Sequence, residues 1–248
     1  YKQLIFISLG AAILITGGIL VYSANDKGAP PVAQWKFNEG SGNYAYDSSG
    51  NTNTGTLLNP NASPATSSMW VSGVYGTALS FDGTDDYVDA GNGSSLDITG
   101  YLTIEAWVKP NSITGYQCIV SKHYNIEPNK WANYILYFNG SEVDFEFYNA
   151  SWKVHTSSGV DMQIGTWYHL VVVYSDADNF VKFYVNGAQK YSGAETSSLL
   201  VNTRKVIIGA SKEGELERFS GSIDDVRVYN YARTADQIKR DYNNGKAL

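Results

Sequence analysis

From Val32 to the C-terminus, short apolar runs are cut about every 8–12 residues by a turn dipeptide, and this spacing constrains the fold more than any other feature. Asp-Gly stands at 82–83, Asn-Gly at 139–140 and 186–187, and Ser-Gly at 158–159 and 192–193. Asn-Gly suits two-residue hairpin loops because both residues tolerate a left-handed backbone. Between the turns, Thr103–Val108, Asn133–Phe138 and Lys182–Val185 alternate polar and apolar side chains, as a half-buried strand does. Trp167–Ser175 is instead a continuous apolar run, the pattern of a strand covered on both faces. Roughly twelve or more strands at this spacing predict an all-β, two-sheet sandwich or jelly roll. One helix is expected to close the chain. Thr234 and Gln237 have capping-box spacing, and Ile238 and Tyr242 fall four apart on one face.

A different pattern precedes the sandwich. Leu4–Tyr22 holds 19 residues without a charge. As a helix it would be about 29 Å long, the thickness of a bilayer's hydrocarbon core. It is apolar all round, so such a helix needs lipid or other helices on every side. The expected organisation is one long hydrophobic helix over 1–24, a linker over 25–31 ending in Pro30–Pro31, and one domain over 32–248. A cleaved secretory signal fits poorly, because no A-x-A-like site follows. A single-span anchor and an assembly helix both remain open. Small residues at Ser8, Gly10, Ala11, Ala12, Thr16, Gly17 and Gly18 would let helix backbones approach closely. With Tyr1 directly before the apolar run, this N-terminus resembles that of type IV and archaeal pilins, although Ile5 stands where many bacterial ones carry Glu. The resemblance implies residence in the membrane before assembly, then self-assembly through a helix in a filament core. Lys2 before the span puts the bulk of the chain outside the cytoplasm.

Composition removes several function classes. A chain that is 43% hydrophobic and 17% charged is not disordered. Lys+Arg number 18 against 24 Asp+Glu, a net charge of −6, which argues against a nucleic-acid partner. Cys118 is the only cysteine, so no intrachain disulfide or multi-cysteine metal site can form. His123, His155 and His169 lack metal-ligand spacing, and no P-loop, GxSxG or HExxH motif occurs.

Seven blocks carry a resemblance across nearly the whole domain: Trp35–Gly42, Asp47–Leu57, Gly73–Ala90, Leu102–Pro110, Gly165–Ser175, Val181–Gly187 and Gly221–Tyr242. In this order they resemble the laminin-G-like branch of the concanavalin A-like sandwiches. That implies the jelly-roll fold, with Trp35, Trp107 and Trp167 expected in the core. It leaves function open, since such sandwiches serve lectins, adhesins, enzymes and spacers.

Three sets of residues could carry chemistry. Asp47, Asn51 and Asn53 offer oxygens at close spacing around Gly50, as calcium requires. The segment IDDVRVY resembles the last strand of sandwich hydrolases, which implies that Asp224, with Asp225 beside it, contributes to the same structural Ca2+. The simpler reading of Asp47–Asn53 is an Asx turn. Glu142, Asp144 and Glu146 share one face of a strand, and EVDFEF resembles the signature of laminarinase-type hydrolases. Their other cleft features are not evident, so no catalytic residue is assigned and the chain is not expected to be an enzyme. Tyr116, Tyr124, Trp131, Tyr148 and Trp152 lie among Asn, Ser and Gly and are candidate ligand-binding residues for sugars. Sequons at Asn61, Asn92, Asn139 and Asn149 are candidate glycosylation sites. Together these features predict a pilus-like filament subunit displaying its sandwich at the cell surface for adhesion or glycan binding. The alternative is a membrane-anchored lectin or adhesin.

Overall fold

Alternation along Tyr168–Ser175 decides how the layers pack. Every residue of this strand is buried. Leu170, Val172 and Tyr174 enter the main core, while Val171 and Val173 join a separate cluster with Ile238. A sheet lies on one side of this strand and a helix on the other, which is why the run is apolar throughout.

The computed structural model describes residues 28–58, 69–126, 129–211 and 216–245, with the dipeptides Ile15–Thr16 and Ile19–Leu20. Of 124–126 and 129–131 it gives the strand pairing alone. The chain divides into two units, 1–30 and 31–248. In the first, β1 (Ile15–Thr16) pairs antiparallel with β2 (Ile19–Leu20). The rest of the apolar run lies outside the described residues. A continuous helix over 1–24 is therefore not what is found at 15–16 and 19–20. Ile and Thr favour extended backbone, and the sequence between the two strands is Gly-Gly, a pair suited to two-residue hairpin loops. Among the described residues no helix is long and apolar enough to cross a membrane.

The second unit runs through β3 (Ala33–Trp35), β4 (Tyr44–Ala45), β5 (Gly55–Leu58), β6 (Trp70–Ser72), β7 (Thr77–Asp82) and β8 (Tyr87–Asp89). There follow β9 (Tyr101–Pro110), β10 (Tyr116–Ile126), β11 (Asn129–Asn139), β12 (Glu142–Asn149) and β13 (Ser151–Ser157). Then come β14 (Tyr168–Ser175), β15 (Phe180–Val185), β16 (Ala188–Gly193), β17 (Ile207–Ile208), β18 (Ser220–Tyr229) and helix α1 (Ala235–Gly245). One sheet has the order β13-β12-β11-β10-β17-β8-β5-β4. The other has the order β16-β15-β14-β9-β18-β7-β6, with β3 also on β18. Their inner faces meet in one core, where Phe145 and Phe147 of the first sheet pack on Tyr174 of the second at 6.1 and 5.6 Å.

The turn dipeptides act differently from one another. Asn186 and Gly187 have φ of 53° and 74° and close the β15–β16 hairpin between Val185 and Ala188. At the β11–β12 hairpin Asn139 pairs with Glu142, so the loop is Gly140–Ser141. Asp82–Gly83 instead carries the chain from β7 in one sheet to β8 in the other. Trp35 is fully buried, whereas Trp167 precedes β14 and is only half-buried beneath Lys109. Trp107 is buried outside the main core, stacked on Tyr242 of α1 at 5.8 Å.

Helix α1 starts as its capping box predicts. Gln237 N donates to Thr234 Oγ1 at 3.3 Å, and Thr234 N donates to Gln237 Oε1 at 3.0 Å. Beneath the helix lies Glu105 of β9, 1% exposed. Its carboxylate pairs with Arg233 Nε at 2.7 Å, with Arg227 Nη1 and His169 Nε2 each at 3.8 Å. Asp241 of α1 pairs with Arg233 and, at 3.3 Å, with Arg227. Burial pushes the Glu105 carboxyl up, but the His169 hydrogen bond and the two guanidinium charges outweigh it and hold the group ionised.

Strand β18 bends where it changes partners. Ser220–Ile223 pair with β7, and Val226–Val228 pair with β3. Between them a bulge against β9 leaves Asp225 with φ of 45°. Asp224, fully buried, accepts from Val74 N at 2.8 Å and Tyr75 N at 2.9 Å through Oδ2, holding the turn between β6 and β7. Burial, with repulsion from Asp225, pushes its carboxyl up to about 7.

Two predictions follow from these buried charges. Glu105→Gln leaves the buried Arg233 and half-buried Arg227 guanidiniums undercompensated and is expected to destabilise the domain by about 3 kcal/mol; unchanged urea midpoints would contradict this. A carboxyl raised in the folded state favours folding while it is protonated, so its contribution is full below the ordinary carboxylate range and is lost as pH rises through about 7. Asp224→Asn should therefore gain stability relative to wild type between pH 5 and pH 8, in EDTA; a pH-independent difference would rule the effect out.

Candidate functional site

A concavity lies on the outer face of the first sheet. Along β12, Val143, Phe145 and Phe147 point into the core, so Glu142, Asp144, Glu146 and Tyr148 belong to the opposite face. Along β11, Leu136 and Phe138 enter the core while Ile135 and Tyr137 join an outer cluster with Cys118, Tyr148 and Trp152. Register then assembles the site. Ile135 lies opposite Glu146, Glu146 opposite Val154, and Tyr148 opposite Trp152.

The resulting cavity holds about 320 Å³, within the range of small-ligand sites. Tyr116, Tyr137, Trp152 and His123 supply rings, Ile135 and Val154 an apolar floor, and Glu146 and Glu217 the charge. Tyr116 and Tyr137 stand edge to face at 5.1 Å. Trp152 meets His123 and Tyr148, each edge to face at 5.6 Å. Tyr116 and Val154 are 49% and 53% exposed, so apolar surface is open to a ligand. Burial raises the Glu146 carboxyl, the Tyr137 hydroxyl hydrogen bond partly offsets this, and Asp144 and Glu217 raise it further by repulsion.

Of the expected ligand residues, Tyr116 and Trp152 line the cavity and Tyr148 supports Trp152. Tyr124 and Trp131 pair across the β10–β11 hairpin, and their side chains lie outside the described residues. Sequence reasoning missed Tyr137, His123 and Glu217. The alternation of β11 could have flagged Tyr137, but Glu217 arrives from the segment before β18, which no local pattern links to β12. Lys122 of β10 is fully buried and held by Asn92, Arg204 O at 2.7 Å and Asp97 at 3.1 Å.

The Asp47 loop is a second polar centre. Asp47 Oδ1 accepts from Gln34 N at 3.0 Å and Ser49 N at 2.8 Å. Its Oδ2 accepts from Ser49 Oγ at 2.8 Å, Asn53 N at 2.9 Å and Asn53 Nδ2 at 3.0 Å. Burial raises this carboxyl, but the three backbone donors and Ser49 prevail and lower it. Ser49 Oγ, Asn51 Nδ2 and Asn53 Nδ2 also converge on Val32 O at 3.1, 2.9 and 3.1 Å. A half-turn of both amides exchanges Nδ2 for Oδ1. Asp47, Ser49, Asn51, Asn53 and the Val32 carbonyl could then hold a calcium ion through oxygen alone. Asp224 is not brought to this loop, because the β6–β7 turn engages it. Among the described residues Asp225 is linked to the loop through Gln34, whose Nε2 donates to Asp225 Oδ1 at 2.8 Å and whose N donates to Asp47 Oδ1.

Asp82, Asp85 and Asp86 form another acidic group, with oxygens within 4.8 Å of one another. Asp82 Oδ1 accepts from Thr84 N at 2.6 Å and Asp85 N at 3.2 Å, and Asp86 Oδ2 accepts from Asp82 N at 3.0 Å. These bonds shape the crossover between the sheets. Of the sequons, Asn61 lies outside the described residues, Asn92 is exposed, and Asn139 and Asn149 are half-buried, the last donating to Ser198 O at 2.9 Å.

Comparison with known proteins agrees with this architecture. Domain 4 of AbnA, a GH43 extracellular arabinanase from Geobacillus stearothermophilus solved with arabinotriose, matches with a TM-score of 0.66 at 21% identity, covering 86% of this chain and 98% of that one. The receptor-binding domain of botulinum neurotoxin mosaic serotype C/D gives 0.63 at 14% identity over 87% of this chain and 51% of that one, so this chain spans about half of it. The CBM40 of Ruminococcus gnavus IT-sialidase, bound to α2,3-sialyllactose, gives 0.58 at 14% identity, covering 66% of this chain and 96% of that one. At these identities the likeness is one of fold. Among curated proteins no sequence matches. The family profile for laminin G type 3 domains matches residues 82–239, more than half of the chain, which therefore belongs to the Concanavalin A-like lectin/glucanases superfamily.

Proposed function

We propose that this chain is a carbohydrate-binding protein acting outside the cell, with the outer-face cavity of the first sheet as its glycan site. The observation that carries the reading is the pairing of solvent-accessible rings with carboxylates in one concavity: exposed Tyr116 and half-buried Trp152 beside Glu146 and Glu217. A sugar ring has apolar C–H faces and a rim of hydroxyls. Aromatic faces match the first and carboxylate oxygens accept from the second. Two structural neighbours solved with oligosaccharides support the reading through shared fold. Adhesion through a filament or a single-span anchor is a finer proposal, resting on the uncharged run Leu4–Tyr22.

A structural calcium ion at the Asp47 loop is part of the same proposal. Its support is the convergence of Ser49, Asn51 and Asn53 on the Val32 carbonyl beside Asp47. Such an ion would stabilise the start of the domain without entering the sugar site.

Two measurements test these readings. On a glycan array, Trp152→Ala should weaken every sugar that binds by about tenfold, or about 1.4 kcal/mol, with an unchanged circular dichroism spectrum; undiminished binding would place the site elsewhere. EDTA should lower Tm by about 5 °C, as expected for a ligand near 100 times its Kd on a domain of this size. Asn51→Ala should remove that difference. Identical melting with and without EDTA would argue against the ion.

A further inference from the structure

We infer that the outer-face cavity is selective for a cationic, amine-bearing sugar, such as an unacetylated hexosamine, over neutral or acidic ones. This rests on the glycan-binding reading above and names the ligand class of that same site.

Glu146 enters from β12 and Glu217 from the segment before β18, and among the described residues neither has an ion-pair partner. No lysine or arginine among the described residues lines the cavity. Lys122, the lysine of β10 whose side chain is described, is held by Asp97, Asn92 and the Arg204 carbonyl instead. Two carboxylates in one partly desolvated concavity repel each other, and a bound ammonium would relieve that repulsion. A sugar carboxylate would add a third negative charge to the same space.

Electron-rich ring faces attract a cation as well as they stack on a sugar. Tyr116 and Tyr137 hold each other edge to face at 5.1 Å, which fixes their orientation beside Glu146. Trp152, packed against Tyr148, is a further ring of the lining. The Tyr137 hydroxyl bonds Glu146, so ring and carboxylate are positioned together. A neutral sugar can stack on the rings and donate hydroxyls to the carboxylates, but an amine also offsets their negative charge and makes the stronger, charge-assisted bonds.

The test is calorimetric titration of the full chain at pH 6.5 in 150 mM salt. The probes are a β-1,4-linked glucosamine tetramer, the same tetramer N-acetylated, and α2,3-sialyllactose. The amine tetramer should bind at least tenfold more tightly than its acetylated counterpart, and sialyllactose should bind least. Glu146→Gln and Glu217→Gln should each cut that preference severalfold with Tm unchanged, while Trp152→Ala weakens both tetramers alike. If the acetylated tetramer or sialyllactose binds as tightly as the amine and responds to Trp152→Ala, this inference fails and the glycan reading stands. If no sugar binds, both fail. A lysine tetrapeptide binding as tightly as the amine tetramer would show a general cation trap and overturn the sugar assignment.

Discussion

Glu105 is the constraint on which this domain's layout depends. It sits in the middle of β9 with almost no solvent, where an unpaired carboxylate is not tolerated. Arg233, just before α1, and Arg227, on β18, answer its charge. Asp241 of α1 ties both arginines to the helix. The network fixes where α1 lies, and Ile238 and Tyr242 then cover Val171, Val173 and Trp107 with apolar surface. A well-packed apolar set could hold a helix as firmly. What the ionic set adds is position, because few placements of α1 satisfy both guanidiniums.

Helix α1 covers part of the second sheet in this way, and the outer face of the first carries the proposed ligand site. There the side chains contributed by alternation are not a second core. Ile135, Tyr137 and Trp152 are apolar, but Glu142, Asp144 and Glu146 sit among them on neighbouring rungs. Aromatic surface interleaved with carboxylates on a half-buried face is costly for stability alone, since burial and repulsion both raise Asp144 and Glu146. Binding gives such an arrangement a use.

Local features were legible in the sequence, and features made by register were not. The strand pattern of Tyr168–Ser175, the hairpin at Asn186–Gly187 and the capping box of α1 depend on residues close in the chain, and each is found as its spacing implies. The cavity depends on which strands are neighbours. Tyr116, Tyr137, Trp152 and Glu217 come from four separate segments, and single-strand alternation says which way a side chain faces, not what it faces. The two aspartates of β18 show the same limit at the scale of one residue. The bulge at Asp225 sends Asp224 to the β6–β7 turn and Asp225 to Gln34 and Arg227. Strand alternation alone sends two adjacent carboxylates to opposite faces, but it does not say that one meets the β6–β7 turn and the other Gln34 and Arg227.

The run EVDFEF is read differently once its neighbours across the sheet are known. Carboxylates at i and i+4 of a strand are about 13 Å apart at Cα, so the two side chains would have to converge to bring their carboxyl groups to the about 5–5.5 Å of a retaining hydrolase. Each acid of β12 has its own flanking rung: Asp144 lies between Tyr137 and Thr156, Glu146 between Ile135 and Val154. The carboxylate that joins Glu146 at the cavity is Glu217, which lies outside the run altogether. What the structure shows of the run is strand alternation with its acids on the outer face. Whatever the cavity does with Glu146, it does with a partner the run does not contain, and that partner is set by the fold of β18 onto the sandwich.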